Sequence, residues 1–109
     1  MTLFPKVAVV MRKEYQQGRF LDMKGVIKAA TPDQCQIELS DGKVINAPLN
    51  SFNVEPPERK GRAIVIKGDG VGQKGVLINF DGGDAVIKLE DVAADDIRMI
   101  PMSNLGKLL

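Results

Sequence analysis

Residues 68–75 read Gly68-Asp69-Gly70-Val71-Gly72-Gln73-Lys74-Gly75, and from Gly70 onward they match G-x-G-x-x-G, the dinucleotide fingerprint. That fingerprint binds pyrophosphate only where the loop leads from a strand into a helix N-terminus. Here Gly75 runs into Val76-Leu77-Ile78-Asn79-Phe80-Asp81-Gly82-Gly83, a strand-forming run that ends in a turn signal. A P-loop would need Gly-Lys-Ser/Thr, and Lys74 is followed by Gly75. The glycines therefore serve chain reversal: they supply positive φ or allow backbones to approach closely between two strands. This reading points to an all-β chain rather than an α/β one.

The chain around that loop repeats itself. Gln73-Lys74-Gly75-Val76-Leu77 echoes Met23-Lys24-Gly25-Val26-Ile27, and Ala85-Val86-Ile87-Lys88-Leu89 echoes Cys35-Gln36-Ile37-Glu38-Leu39, both at a separation of 50 positions. Arg62-Ala63-Ile64-Val65-Ile66 matches Lys6-Val7-Ala8-Val9-Val10 at a separation of 56, so the first copy carries a longer first loop. Three echoes in one order indicate two tandem modules of about 50 residues each. Glu55-Pro56-Pro57-Glu58-Arg59-Lys60 between them reads as a short, stiff connector, which favours packing of the two modules against each other. Within each module the period is two. Cys35, Ile37 and Leu39 alternate with polar neighbours, as do Ala85, Ile87 and Leu89, while Val7–Met11 and Ala63–Ile66 are apolar throughout. Turn signals at 31–34, 40–43 and 81–84 separate the runs. Each module thus holds four or five short strands, and closure into a small barrel would hide their edges.

Composition bounds the chemistry. The chain has 109 residues, a net charge of +1, one cysteine and no histidine. A disulfide within the chain and a cysteine–histidine zinc site are excluded, and a reducing compartment is the default. No apolar run approaches the roughly 18 residues of a membrane helix, and the start, MTLFPKV, lacks signal-peptide features. Without histidine there is no ordinary general base near neutral pH. Ser40, Ser51 and Ser103 have no base partner, and Cys35 falls at an inward strand position. The sequence calls for no enzyme activity and no cofactor. An oxygen-only metal site at Asp81/Asp84 or Asp91/Asp95/Asp96 is outweighed by turn and surface roles for these residues.

The spacing of Val65-Ile66-Lys67-Gly68, Gly72, Gly75 and Val76-Leu77 resembles the KOW motif, shared by bacterial NusG elongation factors, a large-subunit ribosomal protein and the eukaryotic relatives of NusG. Gly25 keeps the last glycine of that motif in the first copy, where the loop is longer and poorer in glycine. Residues 75–84, Lys88-Leu89 and the ending Ile97–Ile100 with Leu105–Leu109 are similar to the last KOW domain in the large-subunit family of DSIF, the RNA polymerase II elongation factor. The first half is compatible with the KOW domain before it. A weaker resemblance is to paired KOW barrels of nuclear RNA-processing and DNA-repair proteins. The resemblance implies two tandem SH3-like barrels, at 1–55 and 61–109 with a linker at 56–60. It also implies a nuclear fragment of a larger protein that lacks catalytic activity. The partners it implies are the RNA polymerase II elongation complex, RNA or DNA backbone, and the small zinc-binding subunit of DSIF through parts outside this chain.

Charge is uneven. Arg59, Lys60, Arg62, Lys67 and Lys74 cluster against Asp69; Arg12, Lys13, Arg19, Lys24 and Lys28 against Glu14 and Asp22. Asp81, Asp84, Glu90, Asp91, Asp95 and Asp96 stand against Lys88. Each module would then be basic around its first two strands, and the second acidic around its later ones. Such a basic patch suits phosphate contact, and the competing reading is that these charges merely solvate strand edges. Aromatics are few: Phe4, Tyr15, Phe20, Phe52 and Phe80. That is too few for a methyl-lysine cage or a proline-peptide groove, and Phe80 at a strand end fits core packing. Base stacking needs rings beside cations, which only Tyr15 and Phe20 next to Arg12, Lys13 and Arg19 provide; these rings would otherwise pin the loop to the barrel. The candidate contact residues are therefore Arg12, Lys13, Tyr15, Arg19, Phe20, Lys24, Arg62, Lys67 and Lys74, with Gly25, Gly68, Gly72 and Gly75 structural. Met99, Met102, Leu105, Leu108 and Leu109 would close the barrel bottom or, if exposed, form a docking face.

Overall fold

In the computed structural model, which describes residues 1–90 and 97–109, Gly75 lies inside a strand, and among the described residues no α-helix follows it. The chain divides into two units, Leu3–Glu55 with Leu109 and Pro56–Leu108 with Met1–Thr2. The first unit holds β1 (Ala8–Met11), β2 (Lys24–Ala30), β3 (Gln34–Leu39), β4 (Val44–Pro48) and β5 (Phe52–Val54). They form an antiparallel sheet in the order β4-β3-β2-β1-β5. The second holds β6 (Arg62–Val65), β7 (Lys74–Asp81), β8 (Asp84–Leu89), β9 (Ile97–Pro101) and β10 (Leu105–Lys107). Their antiparallel order is β10-β6-β7-β8-β9.

The expectation of closed barrels needs correcting: among the described residues both sheets stay open, with β4 and β5, or β9 and β10, at opposite edges. They are nevertheless rolled. A flat five-stranded sheet would be roughly 19 Å across. Yet its two edge strands are joined by a single 3-10 turn, Leu49–Ser51 in the first unit and Met102–Asn104 in the second. So short a turn requires the edges to curl toward each other. Pro48 and Pro101 end the edge strands at that point without an N–H to donate.

The duplication extends beyond what the sequence revealed. Both long hairpins carry a β-bulge at the same place, between Ile27 and Ala29 and between Leu77 and Asn79. Downstream, Ala47-Pro48-Leu49-Asn50-Ser51-Phe52 and Ile100-Pro101-Met102-Ser103-Asn104-Leu105 build the same strand–turn–strand corner. The Pro-Leu/Met pair three residues before an apolar strand was the available signal.

Alternation fixes the cores. Cys35, Ile37 and Leu39 point inward in the first unit. Ala63, Val65, Leu77, Ala85, Ile87, Leu89, Ile100 and Leu105 form one cluster in the second. Gly25 and Gly75 sit where each hairpin crosses its core. A Cβ on Gly75 would stand 2.6 Å from both the Ile87 Cγ2 and the Lys88 carbonyl oxygen. Gly68, Gly70 and Gly72 take φ of +82, +84 and +93°, which L side chains rarely adopt, so the loop that imitates a fingerprint is a reversal. Two expectations fail. Phe80 is 41% exposed, because the bulge and the adjacent Gly82-Gly83 turn carry it past the end of the core. Of the C-terminal apolar residues Leu105 and Leu108 are buried, Met102 is half-buried, and Met99 and Leu109 are exposed.

Cys35 is fully buried, and burial pushes its thiol pKa up. The neutral thiol is thus favoured in the folded state. Its contribution is present below the unfolded thiol pKa and lost as pH rises above it. Alkylation of native protein by iodoacetamide at pH 8 is expected to be far slower than after denaturation; equal rates would contradict the burial.

Candidate interaction surfaces

The long first loop is built to hold two rings together. Tyr15–Gly18 forms a 3-10 turn with Gln16 and Gln17 at positive φ, and Asp22 also takes positive φ where the loop enters β2. This winding brings Tyr15 onto Phe20, with centroids 5.8 Å apart, and places the Arg19 guanidinium 5.2 Å from the Phe20 ring centre. Phe20 is buried, and the Tyr15 hydroxyl donates to the Asn46 carbonyl at 3.3 Å. The rings therefore fasten the loop to β4. Tyr15→Phe is expected to cost under about 1 kcal/mol, the worth of one exposed hydrogen bond, measurable by urea unfolding.

The other predicted contact residues do not join this cluster as bare cations. Arg12 pairs with Glu14 at 3.3 Å. The Glu14 carboxyl is held below its usual range, first by a backbone hydrogen bond and then by Arg12. Lys24 pairs with Glu55 at 3.6 Å. Lys13 and Arg19 are exposed beside the turn. In the second unit Arg62 makes two hydrogen bonds to Glu90, at 3.3 and 3.1 Å, and the Glu90 N–H donates to the Lys74 carbonyl. The basic and acidic sides of that unit thus meet at Arg62–Glu90. Lys67 and Lys74 are exposed. Asp81 and Asp84 face each other across the β7–β8 turn; Asp91, Asp95 and Asp96 lie outside the described residues. Residues 58–60, read as connector, are bonded into the second unit: Arg59 to Asn79 at 2.8 Å, Lys60 N–H to the Leu77 carbonyl at 2.7 Å, and Glu58 to Lys107 at 3.3 Å. Arg59 also lies 6.0 Å over the exposed Phe80 ring.

The feature that charge counting missed is the outward face of the second sheet. Register places Asp81, Asp84 and Pro101 in one row, Asn79, Val86 and Met99 in the next, and Val76, Lys88 and Ile97 in a third, with Ile78 at the bulge. Met99, Ile97 and Ile78 are 55%, 53% and 41% exposed. The same face of the first unit carries Gln36 opposite Asn46 in place of Val86 and Met99, and Lys28 in place of Ile78. One fold repeated in one chain thus tolerates polar residues at positions where the second copy is apolar. Aligning the two halves at the outward positions would have exposed this difference.

In the second unit the first hairpin turns through Gly68, Gly70 and Gly72 and packs Gly75 into its core. Residues 55–108 match the family of the seventh KOW domain of transcription elongation factor SPT5, so this segment is a KOW domain of the SPT5 kind. SPT5 homologs 1 and 2 of Arabidopsis thaliana, both named for transcription elongation, are 27% identical over 88 residues and 29% over 89. Each alignment covers 78% of this chain and therefore reaches into the first unit. The chain spans 8% and 9% of the length of these relatives.

Proposed function

We propose that this chain is a non-catalytic module of a nuclear RNA polymerase II elongation factor, the large subunit of DSIF. In this reading each rolled sheet is an SH3-like KOW barrel, and the pair docks protein surfaces of the elongation complex. The small zinc-binding subunit of DSIF would be engaged by other parts of the parent protein. The carrying observation is the apolar outward face of the second sheet, where the more than half-exposed Met99 replaces Asn46 of the sister sheet and Ile97 lies beside it at the position of Val44. Apolar surface held in water without a folding need marks a binding site. The charge pattern supports the same conclusion, since Arg12, Lys24 and Arg62 already face carboxylates. Pulling down purified RNA polymerase II elongation complex with the immobilised chain tests the reading: retention is expected in moderate salt, and no retention contradicts it.

A second reading rests on the Arg19–Phe20–Tyr15 cluster, where cation and rings lie together as in weak single-strand binders. It requires RNA binding that weakens steeply with salt and vanishes on replacing Arg12, Lys13 and Arg19 together by alanine. An electrophoretic shift with RNA, single-stranded and duplex DNA at two ionic strengths decides it.

A further inference from the structure

We infer that β9 is a strand-addition site for an extended peptide carrying apolar residues two positions apart and a lysine or arginine two positions further on. The inference rests on the docking reading above and specifies its partner. Among the described residues β9 pairs with β8 alone, so one backbone edge of Ile97–Pro101 has no strand partner. Such an edge is a template for another chain. A cleft of about 250 Å³ runs beside it, lined by Asp69, Arg98, Met99, Ile100, Pro101 and Asn104. Asp69 belongs to the glycine loop, and Asn104 packs on Gly68 of the same loop, so the reversal that begins at Gly68 forms one wall of the cleft.

The side-chain preference follows from register. Outward positions along β9 are Ile97, Met99 and Pro101, spaced by two. A strand laid along this edge places its own outward residues beside them. Those flanking Ile97 and Met99 extend the apolar patch with Val86 and Ile78 and gain by burial. The one at the Pro101 end lies two strands from Asp84, roughly 10 Å, which a lysine or arginine side chain can span, with Asp81 one strand further on. These two carboxylates are direct cross-strand partners on one face, an arrangement of like charges that destabilises a hairpin. A cation supplied by the peptide relieves it, and this charge complementarity selects a basic residue there over an acidic one. The sister unit keeps an apolar residue, Val44, in place of Ile97, but has Gln34 in place of Asp84, Gln36 in place of Val86 and Asn46 in place of Met99, so it lacks the acidic pair and most of the apolar patch.

The test is selection of a phage-displayed random dodecapeptide library on the intact chain, followed by resynthesis of enriched peptides and titration into isotope-labelled protein. Enrichment of apolar-x-apolar-x-basic peptides, or the same pattern reversed, is expected, with amide shifts concentrated on residues 97–101. Val86→Gln with Met99→Asn gives the second face the residues of the first, which accommodates them in its own fold. This variant should bind about tenfold or more weakly, the loss of one or two buried apolar contacts. Ile97→Lys, at an exposed edge position, is the second variant and should lose binding likewise. No enrichment, enrichment without the pattern, shifts elsewhere, or affinity unchanged in both variants overturns the inference. The two readings fail separately. If the elongation complex is retained equally by the double variant, this site falls and any docking uses a surface other than the apolar face. If the peptides bind at β9 but the complex is not retained, the site stands and the assignment to the polymerase falls.

Discussion

Gly75→Ala is expected to lower the stability of the second unit by about 3 kcal/mol, the upper end of what overpacking a core costs. The new methyl would meet the Ile87 Cγ2 and the Lys88 carbonyl oxygen at 2.6 Å and the Leu89 Cα at 3.2 Å. Two of those three atoms are backbone in the paired strand, so relief requires β7 and β8 to separate and their ladder to weaken. The equivalent Gly25→Ala meets first the Cγ2 of Ile37, a side chain, and then the Glu38 carbonyl oxygen at 3.1 Å. It should cost less, about 1–2 kcal/mol. Gly82→Ala meets nothing within 4 Å but sits at a φ of +62°, so its cost should be about 1 kcal/mol of backbone strain alone. Native-state hydrogen exchange reads each unit through its own slowest amides. Equal losses at positions 25, 75 and 82 would refute the close-approach role of the motif glycine.

Phe20→Ala is expected to destabilise the first unit by about 3 kcal/mol, as for other buried aromatic truncations. The ring is buried, stacks on Tyr15 and carries Arg19 on its face. Removing it leaves a cavity and frees the loop that runs from β1 to β2. The competing view, that Phe20 is kept for contact with a nucleobase, predicts little change in stability and a large loss in RNA affinity. Exchange protection in β1 and β2, measured beside an RNA titration, separates the two.

Much of the fold was legible because it rests on alternation and on turn residues, both local. The inward triplets Cys35/Ile37/Leu39 and Ala85/Ile87/Leu89 and the helix-free run after Gly75 needed no knowledge of the whole. Closure was misjudged for a non-local reason. Whether β4 bonds to β5 depends on a three-residue corner that follows a proline, and neither Ala47–Phe52 nor Ile100–Leu105 announces that outcome in its local pattern. The site was less legible still. Counting cations showed where charge is dense, but not that Glu14, Glu55 and Glu90 sit on Arg12, Lys24 and Arg62. Phe80 was assigned to the core because a strand-end ring usually packs; a bulge two residues earlier carries it out to Arg59 instead. For Met99 the sequence leaves both the barrel bottom and a docking face open, and its register opposite Val86 puts it on the outside.

Contact through apolar sheet surface and contact through phosphate differ in how they respond to salt and to substitution. The direct measurement is the affinity of the labelled chain for purified RNA polymerase II elongation complex at two ionic strengths. It compares the unmodified chain, Val86→Gln with Met99→Asn, and Arg12, Lys13 and Arg19 all replaced by alanine. The predicted result is an affinity that changes little with salt, drops in the first variant and survives in the second. An affinity that collapses as salt rises, is unaffected by the first variant and disappears in the second would contradict it.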